Sequence, residues 1–181
     1  MKNQHIIYFL ALAIILLISG CASPAKMENM TIPSEDWGQY KGSDNLKNNL
    51  IVDTVSGGKS TNPLWTSEIS NEDYKQAMIN SLADAQFLNR SSVNSDYSLS
   101  AVLIEVKQPI LGASMTVTTI ISYSLVENET KKEVFYKKIT TPFTAKWNAA
   151  FLGVERLRLA NEGSARNNIK SLIEHLQELN I

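Results

Sequence analysis

The stretch Met115-Thr116-Val117-Thr118-Thr119-Ile120-Ile121-Ser122-Tyr123-Ser124-Leu125 carries the clearest periodic pattern in the chain. Larger side chains alternate with small hydroxyl-bearing ones, which is typical of a β-strand buried on one face. The predicted buried face comprises Met115, Val117, Thr119, Ile121, Tyr123 and Leu125. A polar connection over residues 127–132 and a second strand over residues 133–141 follow, so the sequence predicts an antiparallel hairpin.

Strand and helix patterns lie on both sides of this hairpin. β-branched residues over 50–55 and the segment 97–107 predict two more strands. Ser70 with Asp73 three positions later resembles a capping box, which predicts a helix from there to about Gln86. An apolar stripe from Val154 to Leu179 predicts a C-terminal helix, in which Gly163 is a candidate for a bend or a division.

The order of these elements is β-α-β-β-β-α over residues 49–181. A sheet whose helices pack on one face would bury both apolar helix stripes. We therefore predict an α+β fold, with an antiparallel or mixed sheet of about four strands and two helices packed on one face.

Composition narrows the classes of function. The chain has 181 residues, with 17 basic against 18 acidic side chains, and a nucleic-acid binder usually shows a basic excess. One cysteine excludes an intramolecular disulfide, and two histidines leave little material for a His/Cys metal site. Gly58-Lys59-Ser60 resembles the end of a phosphate-binding loop, but Asp53 stands where that pattern needs a glycine. We predict no nucleic acid, no nucleotide, no metal and no cofactor.

The N-terminus carries the strongest targeting signal. Lys2 precedes an uncharged apolar run over residues 6–18, which would form about 20 Å of helix, against roughly 30 Å for a bilayer core. Such a length is typical of a signal peptide. Ile18-Ser19-Gly20-Cys21 then resembles the lipobox of bacterial lipoproteins. The resemblance implies acylation of Cys21 and removal of residues 1–20; a simple membrane anchor and an ordinary secretory signal are the alternatives.

The residues after Cys21 suggest where the protein goes. Ala22 stands where the Gram-negative sorting rule places an aspartate for retention, so the resemblance implies a lipid-anchored outer-membrane protein facing the periplasm. The polar composition of residues 21–48 predicts a flexible tether. Trp37 and Tyr40 in it either dock on the domain or contact a partner. Residues 49–181 are predicted to form a single periplasmic domain.

The order and lengths of the elements are similar to those of small periplasmic lipoproteins. These are the LpoB-like and YajG-like families and the auxiliary lipoproteins of envelope ABC transporters. Residues 151–163 also resemble a block of uncharacterised proteobacterial lipoproteins. Several of these families act by binding envelope machinery, so the resemblance implies an adaptor with an envelope protein partner.

Candidate catalytic residues are few. Once residues 1–20 are removed, His175 is the only imidazole, and its neighbours suggest an exposed helix face. We predict a non-enzymatic adaptor; an envelope hydrolase or transferase acting on cell-wall or lipid-linked glycans is the alternative. Large aromatic and arginine side chains supply most interface hot spots. The predicted contact residues are therefore Trp147, Phe151, Arg156 and Arg158, although the two aromatic residues would also suit the core.

Overall fold

The computed structural model describes residues 21–37, 42–63, 66–89 and 95–181. It contains a four-stranded sheet, two long helices and one short helix. The elements are α1 (Met27–Met30), β1 (Leu50–Ser56), α2 (Asn71–Asp84), β2 (Tyr97–Lys107), β3 (Met115–Glu127), β4 (Glu133–Ala145) and α3 (Gly153–Glu178). The predicted α+β class and the β-α-β-β-β-α order are confirmed.

The sheet is mixed, with the strand order β1-β2-β3-β4. β1 pairs with β2 in parallel, because α2 crosses over between them, while β3 is antiparallel to both β2 and β4. Ile121, at the centre of the sheet, pairs with Leu103 on one side and Ile139 on the other, and all three are buried. The predicted hairpin of β3 and β4 is therefore confirmed.

The periodic stretch that predicted the fold is the central strand β3. All six residues of its predicted buried face are buried, and the strand packs under α3. The other face of the sheet carries partly exposed threonine, serine and isoleucine side chains. Both long helices pack on one face because each has a single apolar stripe, and a shared sheet face buries the two stripes together.

Both long helices begin near the predicted positions. Ser70 Oγ accepts the backbone N–H of Asp73 at 3.0 Å, which confirms the predicted cap of α2. α3 is one continuous helix through Gly163, so the glycine does not divide it. A Cβ at this position would lie 2.3 Å from the ring of Phe143 on β4. Gly163 therefore allows helix and strand to approach closely.

The segment between Cys21 and β1 differs from the predicted flexible tether. Its described parts, residues 22–37 and 42–48, lie on the helices, and we call them the N-terminal strap. Four apolar side chains of the strap belong to the main core: Ala25, Met30, Ile32 and Leu46. These residues follow no helix or strand period, so the sequence pattern does not reveal that they are buried.

Hydrogen bonds fix the N-terminal strap along its length. The N–H of Lys26 donates to Glu162 on α3 at 2.9 Å, and the N–H of Ile32 donates to Ser81 on α2 at 3.0 Å. Near the end of the strap, Ser43 Oγ donates to the carbonyl of Ile181 at 2.7 Å. Trp37 is half-buried against the core, which agrees with docking on the domain; Tyr40 lies outside the described residues.

Candidate functional site

Large apolar side chains protrude at one end of the domain. Ile110 and Leu111 lie on the loop between β2 and β3 and are 95% and 87% exposed; Trp147 and Phe151 lie between β4 and α3 and are 70% and 92% exposed. β2 and β4 run in the same direction because both are antiparallel to β3. Both loops therefore leave the sheet at one end. We call these four residues the apolar end.

Arg156 stabilises the conformation of the loop between β4 and α3. Its Nη1 donates to the carbonyls of Ala150 and Phe151 at 2.7 and 2.9 Å. The guanidinium thereby binds the backbone beside the exposed Phe151 ring and lines an open groove of about 550 Å³ together with Trp147. The predicted residues Trp147, Phe151 and Arg156 are thus brought together, and the two aromatic side chains do not belong to the core.

Arg158 does not join the other predicted contact residues. It is 7% exposed and forms ion pairs with Glu155 and Glu162 on its own helix. The hydrogen bond from Arg158 lowers the pKa of Glu155, and the carboxylate in turn raises the pKa of Arg158. Because it binds both acids, the guanidinium of Arg158 stabilises α3 and, through Glu162, the position of the N-terminal strap.

Ile110 and Leu111 were missed by the sequence reasoning. The signal that could have identified them is an adjacent pair of large apolar residues in the loop Pro109-Ile110-Leu111-Gly112. A surface loop usually carries polar residues, so such a pair is unexpected there. Five lysines of the β3–β4 turn, the edge strand β4 and the residue after it are all exposed: Lys131, Lys132, Lys137, Lys138 and Lys146.

Several polar groups buried beneath α3 form one hydrogen-bond network. The hydroxyls of Tyr74 and Tyr123 are 2.6 Å apart, and Tyr123 donates to Asn168 Oδ1 at 2.7 Å. Asn168 Nδ2 donates to the hydroxyl of Thr141 at 3.0 Å and to the carbonyl of Ile139 at 3.2 Å. Burial raises the pKa of both tyrosines. These groups bind one another beneath α3, so the network fixes the helix on the sheet.

The described ranges hold no group of three or more His, Cys, Asp or Glu side chains that could bind a metal. His175 is partly exposed near the end of α3, with Nδ1 3.9 Å from Glu178 Oε2. Among the described helices, none is long and apolar enough to cross a bilayer. The apolar end is a surface feature that packing within the fold does not explain, because its large apolar side chains are exposed.

Comparison with known proteins gives likenesses of fold. No family model and no curated protein sequence matches the chain. A Xanthomonas campestris protein of family DUF330 superposes with a TM-score of 0.56 and 11% identity, covering 78% of this chain and 92% of that one. A hypothetical protein from Chlamydia trachomatis gives 0.54 and 6%, covering 74% and 97%.

PelC from Paraburkholderia phytofirmans, crystallised as a dodecamer, gives a TM-score of 0.51 at 13% identity and covers 77% of this chain and 96% of that one. Fold and surface together thus define an α+β domain, of a kind found in several bacterial proteins, that carries an apolar end. At these identities the likeness establishes the architecture alone.

Proposed function

We propose that this chain is a lipid-anchored lipoprotein of a bacterial envelope whose domain acts by binding, without catalysis. The observation that carries the proposal is Cys21 itself. It ends a sequence that resembles a lipobox, and its side chain is exposed in the structure. Folded structure begins at the next residue, because the N–H of Ala22 donates to the carbonyl of Pro63 at 2.7 Å.

The proposed location is the outer membrane, with the domain facing the periplasm. The support for it is Ala22, which stands where a retained lipoprotein would carry aspartate. The proposed contact surface is the apolar end together with Arg156. Large exposed apolar side chains that gather on one part of a surface often mark an interaction site.

Acylation of Cys21 is tested with the wild type, Cys21→Ser and a matched control, Ser23→Ala. We expect the wild type and the control to incorporate a fatty-acid probe and to float with membranes. The serine variant should do neither, because an oxygen nucleophile replaces the thiol that takes the diacylglyceryl group. Density-gradient separation of the two membranes then tests the location. A Cys21→Ser protein that still labels and floats would refute the proposal.

A further inference from the structure

The lipid anchor and the apolar end lie at the same end of the molecule. The strap begins beside the connection between β1 and α2, where the N–H groups of Ala22 and Ala25 donate to the carbonyls of Pro63 and Glu68 at 2.7 and 3.0 Å. This connection leaves β1 at its carboxyl end. β1, β2 and β4 all run in the same direction. The connection between β1 and α2 therefore lies at the same end of the sheet as the β2–β3 loop and the β4–α3 loop, which carry the apolar end.

A direct contact joins the two regions. Gln108, the residue after β2, donates through Nε2 to the carbonyl of Ser67 at 2.8 Å and to Asn161 Oδ1 at 3.1 Å. Ile110 follows two positions later. Neighbouring strands are about 4.8 Å apart, so β1 and β4 are only about 15 Å apart across this four-stranded sheet. An anchor at Cys21 therefore holds the apolar end close to the bilayer.

No flexible linker separates the anchor from the domain. Ala22 is buried and hydrogen-bonded, so folded structure begins at the residue directly after Cys21. A domain held this closely cannot turn its anchored end far from the membrane. The side chains at that end must therefore be compatible with lipid.

The shape of the apolar end favours lipid over a protein partner. A protein hot spot is usually an anchor that fits a well-packed pocket. Here the four side chains protrude from two loops, and a fluid bilayer accepts such side chains without a complementary shape. Tryptophan also prefers the boundary between headgroups and acyl chains. Lys146, directly after β4, is exposed and suits anionic headgroups.

We infer that Ile110, Leu111, Trp147 and Phe151 insert into the phospholipid leaflet that holds the acyl chains of Cys21, and so fix the orientation of the domain on the membrane. The inference rests on the proposed acylation. It leaves the far end of the domain directed away from the bilayer and the open face of the sheet pointing to the side.

Site-specific crosslinking in cells tests this orientation. A diazirine amino acid is placed at Leu111, at Phe151 or at Tyr136 of the full chain, with fatty-acid labelling of Cys21 read in the same samples. Tyr136 is the matched control, since it is 60% exposed but lies near the opposite end of β4. We expect phospholipid adducts from positions 111 and 151, and about tenfold fewer from position 136.

The outcomes separate the two proposals. A labelled protein that forms adducts at positions 111 and 151 with one discrete protein, and none with lipid, overturns the membrane contact and leaves the lipoprotein assignment standing. Equal lipid adducts at all three positions also overturn it. A protein without label at Cys21 refutes the lipoprotein assignment, and the membrane contact with it.

Fluorescence of Trp147 gives an independent measurement. The acylated protein is reconstituted into phosphatidylcholine and phosphatidylglycerol vesicles, with and without brominated acyl chains. We expect bromine to quench a component of the wild-type emission that Trp147→Phe lacks, because Trp147 is the tryptophan that the proposal places in the leaflet. Equal fractional quenching of the two proteins would contradict insertion.

Discussion

At the scale of single residues, the interior of this domain depends on paired polar groups. Tyr74 and Tyr123 hydrogen-bond each other, and Tyr123 also binds Asn168 of α3. Both hydroxyls are fully buried, where an ionised phenolate would lose its hydration without a compensating cation. The pair therefore stabilises the fold only while both tyrosines keep their protons.

This requirement predicts loss of stability in alkaline solution. The folded pKa of each tyrosine is raised above the ordinary value of 10.0, so their contribution is complete below that pH and falls as the pH rises above it. We expect the free energy of unfolding, measured in urea, to decrease between neutral pH and about pH 11. The free energy of unfolding of Tyr74→Phe should decrease less steeply with pH. An equal slope in the two proteins would contradict the role given to the tyrosine pair.

Glu162 is a buried acid that contacts both α3 and the N-terminal strap. It pairs with Arg158 and accepts hydrogen bonds from the strap, from Lys26 N and from Asn29 Nδ2. We expect Glu162→Ala to lower the free energy of unfolding by about 2–4 kcal/mol, because three donors lose their acceptor inside the protein. Urea unfolding measures the change.

The matched control is Glu155→Ala. Glu155 pairs with the same arginine, but its side chain is 38% exposed, so its removal should cost clearly less. If the two alanine variants were equally stable, Glu162 would have no special part in holding the strap.

At the scale of the elements, α3 lies close to β4 because Gly163 has no side chain. A Cβ would lie within 2.3–2.6 Å of three carbon atoms of the Phe143 ring. We expect Gly163→Ala to destabilise the domain by about 1–3 kcal/mol, although alanine is the better helix former. Thermal unfolding or urea titration gives the value.

A double-mutant cycle with Phe143→Ala identifies the cause. Once the ring is absent, Gly163→Ala should cost nothing or stabilise the helix by up to about 1 kcal/mol. A cost that is the same in both backgrounds would show that the ring is not responsible.

At the scale of the whole molecule, the N-terminal strap connects Cys21, the proposed site of acylation, to the core. Its apolar side chains fill the space between α2 and α3, so the folded body should begin at Ala22, not near residue 49. We expect limited proteolysis of the full-length protein to leave residues 22–37 protected. Ile32→Asp should expose them, since it places a charge among buried apolar groups.

Glu35→Ala is the matched control, because Glu35 lies in the same segment but is exposed. Its cleavage pattern should equal that of the wild type. Cuts before residue 32 in the wild type, with residues 49–181 left intact, would support the flexible tether that the composition predicted.

The sequence alone determined the order and type of the principal elements. The alternation in β3, the β-branched run of β1 and the stripe of α3 are local patterns, and each reflects the period of its own element. The resemblance around Cys21 is also local, since it needs only consecutive residues. Patterns of this kind can be read without knowing what any element will contact.

Only the tertiary structure decided which distant residues meet. The strap has no period that marks its buried side chains, and Arg156 and Arg158 look equivalent until α3 turns one towards a loop and the other towards Glu162. Ile110 and Trp147 come to the same end of the molecule because β2 and β4, on either side of β3, run in the same direction. Such contacts depend on chain topology and on packing between elements, which a local pattern of hydrophobicity or charge does not encode.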